Sequence, residues 1–202
     1  MLTIRKINPD EKKIIKEVVN IHMNTFTGFF LTFMGRGFLE QMYSSYCKHN
    51  ESDLLVATDD EKIVGFLAYS GNFSGLYKYM IKTKLVLFAW YSLGALIRKP
   101  KVFMHLIKAF LKPSEVKREE KYIQLSSIGV SPEIKSKGIG TQLIKALIDD
   151  VDFSKYDYIN LETDAIDNEA TNHFYEKNGF LLYRKYKTDE GRLMNEYRYR
   201  KS

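Results

Sequence analysis

The chain has little of what would staple, anchor or metallate it. Cys47 is the only cysteine among 202 residues, so no internal disulfide can form. A reducing, cytoplasmic setting is therefore expected. A lone thiol outside the motifs below reads as a packed or incidental side chain rather than a nucleophile. The four histidines, His22, His49, His105 and His173, are scattered and lack metal-ligand spacing, so no metal is expected. The opening Met1-Leu2-Thr3-Ile4-Arg5-Lys6-Ile7 is too short and too alternating for a secretion signal. The uncharged run Leu85 to Ile97 would extend only about 20 Å as a helix, against a hydrocarbon core of about 30 Å, so it is not read as a membrane span.

Acidic residues are nearly missing from one stretch. Between Phe73 and Arg118 ten lysines and arginines face Glu115 alone, a local charge of +9 in a chain whose total is +6. The rest of the chain is thus −3, and the basic character belongs to one segment. No reader motif accompanies it, which argues against a nucleic-acid partner. Hydrophobic residues make up 45% and charged residues 28%, ordinary values that allow a substantial core.

What is present is a strand, a glycine loop and a helix. Tyr122 to Val130 is apolar and reads as a strand. Ser131-Pro132-Glu133-Ile134-Lys135-Ser136-Lys137-Gly138-Ile139-Gly140-Thr141 follows, and Gln142 to Ile148 then continues with helical spacing. Such a junction leaves backbone N–H groups free at a helix N-terminus, where the helix dipole favours an anion. Glycine at 138 and 140 lets the backbone approach a phosphate closely. The loop is not a P-loop, because Thr141-Gln142 follows Gly140 where Lys is needed. It is not a dinucleotide fingerprint either, since position 143 is leucine rather than a third glycine.

A second segment, Asn168-Glu169-Ala170-Thr171-Asn172-His173-Phe174-Tyr175-Glu176-Lys177-Asn178-Gly179-Phe180, reads as a short helix. Asp167 or Asn168 would cap its start and Asn178-Gly179 its end. Together the two segments resemble the GNAT family of acetyl-CoA-dependent N-acetyltransferases. Lys135, Gly138 and Gly140 stand in the Arg/Gln-x-x-Gly-x-Gly/Ala positions of its pyrophosphate motif. The later segment is similar to its Asn…Ala…Phe-Tyr-Glu-Lys-x-Gly-Phe stretch. Lys135 departs from the usual Arg or Gln, and Ser136 stands where Gly is frequent; neither change removes a backbone donor. The resemblance covers roughly Tyr122 to Phe180 and leaves residues 71–118 without a counterpart.

The remaining pattern fits the same layout. Leu2 to Ile7 reads as a strand, and Asn8-Pro9-Asp10 as a turn and cap. Ile14 to His22 reads as a helix, residues 26–35 as an aromatic connector, and Phe38 to Tyr46 as a second helix. Asp53–Thr58 and Ile63–Tyr69 form a hairpin, Tyr158–Glu162 a strand, and Phe180–Lys187 with Arg192–Arg200 the last two strands. The expectation is one α+β, three-layer GNAT domain over residues 1–202. A mixed sheet of about seven strands would be flanked by helices, with a basic, apolar helical insertion at 71–118 before the motif strand. Pro100 opens a second amphipathic pattern within it, Val102 to Leu111.

The resemblance implies acetyl-CoA as co-substrate and direct transfer of its acetyl group to a primary amine of a small molecule or peptide. It places the cofactor against Ile128, Gly129 and Val130, the loop Lys135, Ser136, Lys137, Gly138, Ile139, Gly140 and Thr141, and Asn168. Gly129 suggests a bulge or close approach that frees N–H groups at Ile128 or Val130 for the thioester carbonyl. Tyr175 matches the tyrosine that meets the departing thiolate. Glu162 and Asp164 are the candidate bases. A non-catalytic acyl-CoA sensor or membrane-associated module is the rival class. For the insertion, a lid over the acceptor pocket, a homodimer surface and a membrane-surface contact through residues 73–112 stay open.

Overall fold

The computed structural model describes residues 1–98, 120–134, 138–189 and 191–201. Strand β1 (Leu2–Lys6) leads into helices α1 (Lys12–Thr25), α2 (Phe30–Met34) and α3 (Arg36–Lys48). Next come β2 (Ser52–Asp59), β3 (Lys62–Ser70) and the 26-residue helix α4 (Phe73–Arg98). The chain continues with β4 (Tyr122–Val130), α5 (Ile139–Asp150), β5 (Tyr158–Asp164), α6 (Glu169–Lys177), β6 (Leu181–Lys187) and β7 (Leu193–Tyr199). The seven strands form one sheet in the order β1-β2-β3-β4-β5-β7-β6. All neighbours are antiparallel except β4 and β5.

Leu54-Leu55-Val56-Ala57 in β2 is buried on both sides, as a central strand under two helical layers must be. Leu54, Val56 and Phe66 join Val18, Val19, Leu39 and Leu76 in one core beneath α1, α3 and α4. Leu55, Leu67, Ile123 and Leu161 join Leu143, Ile144 and Leu147 of α5 and Tyr175 of α6 in the other. The β2–β3 turn uses Asp60 and Glu61, both with positive φ, as a two-residue hairpin of this twist requires.

Several local expectations are corrected. Glu11, not the Asn8–Asp10 turn, is the N-cap of α1. Its carboxylate accepts from the Asn8 N–H at 2.7 Å and pairs with Arg5 at 2.6 Å. The aromatic connector contains the short helix α2. The uncharged run Leu85–Ile97 is no helix of its own but the second half of α4. That helix starts a dozen residues earlier, where the Gly75 N–H donates to Asn72 Oδ1 at 2.8 Å. Among the described residues no helix is long and apolar enough to cross a membrane.

Helix α4 lies on α3. Phe88 rests on Phe38 with ring centroids 4.7 Å apart. Lys84 is buried and donates to Gln41 Oε1 and Ser44 Oγ at 3.0 and 3.1 Å. The second pattern read from Pro100 to Leu111 falls outside the described residues.

Candidate active site

The site is built on a divergence of two strands. β4 and β5 pair only from Tyr122–Tyr158 to Gln124–Asn160, and beyond that they separate. The gap becomes a cleft of about 1000 Å³, walled by Leu125–Val130 of β4 and Leu161–Asp164 of β5. The start of α5, the start of α6 and the end of α1 complete the wall.

Pairing geometry decides which way the β4 amides point. The Ser131 N–H donates to the Val64 carbonyl at 2.8 Å, so alternate residues above it also face β3. Ile128 and Val130 therefore turn their N–H and C=O groups to the edge that β5 has left. Thr25 Oγ1 accordingly reaches the Val130 carbonyl from α1, at 3.2 Å. The expected bulge exists, but not at Gly129. The β3–β4 register slips between Ala68 and Tyr69, opposite Ser127 and Leu125, so Ser126 is the additional residue. Gly129 has a different cause: a Cβ there would stand 2.8 Å from the Phe66 ring.

Gly138 caps α5 with φ +68°, a left-handed conformation that glycine adopts without strain, and no side chain caps the helix. Among the described residues the first N–H groups of α5 have no side-chain cap and border the cleft. At Gly140 a Cβ would meet the Phe174 ring at 3.1 Å, so this glycine also seats α6 against α5.

Gly138, Ile139, Gly140, Thr141, Ile128, Gly129, Val130, Asn168, Glu162, Asp164 and Tyr175 all line the one cleft. Lys135, Ser136 and Lys137 lie outside the described residues. Asn168 sits at the N-cap of α6, but its side chain makes no cap bond. Its amide donates to Thr163 Oγ1 and the Asp164 carbonyl, at 2.8 and 3.0 Å, and so ties α6 to the end of β5. Tyr175 is held among the rings of Phe174, Phe180 and Tyr197, and burial raises its phenol above the ordinary range. The ring is thus a proton-bearing donor. Asp164 is engaged by Arg192, whose guanidinium reaches both carboxylate oxygens at 2.8 Å. Glu162 is exposed in the cleft wall and accepts from the Tyr186 hydroxyl.

Other lining residues come from segments with no local motif: His22, Thr25, Phe26, Phe29, Leu31, Arg192 and Met194. His22 was legible only as one apolar-face position of α1. Its Nδ1 lies 2.7 Å from the Tyr43 hydroxyl. None of the described residues of α4 lines the cleft, and the described part of the insertion packs on α3. Cys47 is half-buried, and burial pushes its thiol up to about 12, in keeping with a packing role. No group of three or more potential metal ligands occurs among the described residues.

Solved structures with this fold include the ribosomal-protein-S18-alanine N-acetyltransferase of Escherichia coli. It is 16% identical, with 99% of this chain and 94% of that one covered, at a TM-score of 0.60. A GNAT acetyltransferase of Bacillus cereus gives 16%, 100%, 99% and 0.59 in the same terms. Arabidopsis thaliana NAA60, solved in complex with acetyl-CoA, gives 14%, 99%, 98% and 0.58. Identities this low establish the fold alone. No curated protein sequence matches the chain. The family follows from the sequence itself: residues 15–180 match the profile of the acetyltransferase (GNAT) family, and the chain belongs to that family.

Proposed function

We propose that the protein is an N-acetyltransferase that moves the acetyl group of acetyl-CoA directly to a primary amine within a ternary complex. The observation that carries the reading is the β4–β5 gap, which puts an unpaired N–H edge and an uncapped helix start on one cleft. Acetyl-CoA has the matching parts. Its pyrophosphate suits the first amides of α5, with Lys135, Ser136 and Lys137 completing the loop. Its thioester carbonyl suits the N–H groups of Ile128 and Val130, and Asn168 borders its path. A donor aimed at such a carbonyl is worth about 3 kcal/mol as charge develops on oxygen. NAA60, similar in fold, binds acetyl-CoA in its own structure.

The amine enters from the side of Phe26, Phe29 and Glu162. Glu162, through a water, takes the first proton from the entering ammonium. Asp164, held by Arg192, shapes the wall instead. Tyr175 donates a hydrogen bond to the departing sulfur. The acceptor is a small-molecule or peptide amine, and residues 1–202 act as one domain in a cytoplasmic setting.

The test is binding followed by turnover. Acetyl-CoA at a hundredfold its Kd should add about 2.7 kcal/mol of stability, read as a higher melting temperature. Turnover is then sought with spermidine, kanamycin, glucosamine and an alanine-starting peptide. No shift at millimolar acetyl-CoA overturns the cofactor reading. A shift without turnover of any amine favours an acyl-CoA sensor.

A second reading concerns α4. Its outer face exposes Leu85, Val86, Trp90, Leu93 and Ile97, with Lys78 and Lys82 exposed beside them and no acidic residue in the helix. Apolar surface next to unopposed positive charge suits an anionic membrane surface, whereas a second copy would bring like charges together.

A further inference from the structure

Among the titratable residues that line the cleft, His22 is the one the reading above leaves unused. It is 3% exposed yet lines the cleft. Its ring is fixed by Phe26 and Phe66, with centroids 4.7 and 6.3 Å away, and by the 2.7 Å contact between Nδ1 and the Tyr43 hydroxyl. Tyr43 in turn contacts Ser127 Oγ at 3.4 Å, on the strand that walls the cleft. The Tyr43 hydroxyl thus stands between Nδ1 and Ser127 Oγ, and its two contacts admit either His22 tautomer. In the tautomer whose Nδ1–H donates to Tyr43, with the tyrosine proton directed to Ser127, Nε2 carries a lone pair. Nε2 is also one of only three buried side-chain polar atoms without a hydrogen-bond partner among the described residues. A buried polar atom without a partner is unfavourable, and in a cleft wall a bound ligand can supply the partner.

We infer that His22, as its Nδ1–H tautomer, is a further catalytic residue, resting on the acetyltransferase reading: its Nε2 receives the proton that the acceptor nitrogen sheds during attack. The step balances without any additional reactant. The neutral amine donates its lone pair to the thioester carbonyl carbon, forming the C–N bond. An N–H that was weakly acidic in the free amine becomes strongly acidic once nitrogen carries positive charge, and Nε2 takes that proton. The C–S bond breaks with its electron pair on sulfur, which Tyr175 steadies by a hydrogen bond and which takes its proton from water. His22 then returns its proton to solvent. Glu162 and His22 thus divide the work, one serving the entering ammonium and the other the nitrogen after attack. Burial lowers His22 to about 4, so the ring meets the amine in its neutral, proton-accepting form.

The decisive variants are His22→Asn and His22→Gln. Asparagine keeps a polar atom near Nδ1 for Tyr43 and deletes Nε2. Glutamine restores hydrogen bonding near Nε2 but cannot take up a proton. With the panel amine that the parent acetylates fastest, both should lose about 10²–10⁴-fold in kcat. The acceptor KM should rise in the asparagine variant and stay near the parent value in the glutamine variant. Both should keep the acetyl-CoA thermal shift. A kcat within twofold of the parent in either variant overturns the proposal while leaving the acetyltransferase reading intact. A parent that acetylates no panel amine defeats that reading, and the proposal with it. Should a variant fail to fold, ¹⁵N spectra of the labelled parent protein with acetyl-CoA decide. The Nδ1–H tautomer of His22 at neutral pH is the expected result, and the Nε2–H tautomer overturns the proposal.

Discussion

At the residue scale, the cleft separates its groups by environment. Tyr175 is buried among rings, which favours its protonated form, and the proposed reaction gives it a hydrogen bond to the departing sulfur. Tyr175→Phe should therefore lower kcat about 10–1,000-fold and leave acetyl-CoA affinity unchanged. An unchanged kcat would return Tyr175 to a packing role. His22 also makes a prediction about stability. Its folded pKa of about 4 lies below the ordinary value of 6.5, so the unfolded chain binds a proton that the native protein does not. The associated stability is full above pH 6.5 and is lost as pH falls toward 4. Its size is about 3 kcal/mol from the pKa difference. Denaturant melts of the parent and of His22→Asn across that window should differ in slope, the variant losing less on acidification. Parallel curves would mean that His22 titrates normally.

At the scale of elements, the same rules produce a binding strand and an odd helix. The bulge at Ser126 and the early end of the β4–β5 ladder leave β4 paired along the β3 side and open to the cleft on the other beyond Gln124. Helix α4 buries Leu76 and Met80 but exposes Trp90 at 69% and Val86 at 81%, an inversion that soluble helices avoid. If that face meets anionic lipid, the protein should sediment with phosphatidylserine-containing vesicles at low salt. It should be released as salt rises, because lysine–headgroup attraction is screened within about 8 Å at physiological ionic strength. Replacing Trp90 and Leu93 by serine should weaken sedimentation. No binding at low salt would end the lipid reading, and a concentration-dependent dimer without vesicle binding would assign the face to a second copy.

At the scale of the whole molecule, two cores share one sheet and the cleft opens where the parallel pair gives way. The first core is held by α1, α3 and α4, the second by α5 and α6, and β4 contributes Ile123 and Leu125 to the second. A ligand that hydrogen-bonds to β4 and α5 should hold the strand and the helix together across the cleft. Hydrogen exchange should then show acetyl-CoA slowing the amides of Ile128 and Val130 and the first turn of α5. Amides of β1 and β2, remote from the cleft, should be unaffected. Uniform slowing throughout would point to global stabilisation without a local contact.

Periodicity and turn chemistry determined most of the elements, because alternation and helical spacing are local consequences of backbone geometry. β4 runs from Tyr122 to Val130 as its apolar run indicates, and Asn178-Gly179 ends α6, with Gly179 at φ +85°. The glycine loop and the Phe-Tyr-Glu-Lys segment also determined the family, since a loop that leaves amides free needs its residues consecutive in the chain. Tertiary structure alone decided the rest. Gly129 is required by the Phe66 ring, from a strand some sixty residues away in sequence, and no local pattern encodes that contact. Arg192 reaches Asp164 because β5 and β7 are neighbours, which converts a candidate base into half of an ion pair. His22 joins the cleft only because α1 packs across β3 and β4, and Tyr43 of α3 then fixes its ring. Local sequence sets which backbone groups are left over, whereas packing between distant segments sets which side chains face them.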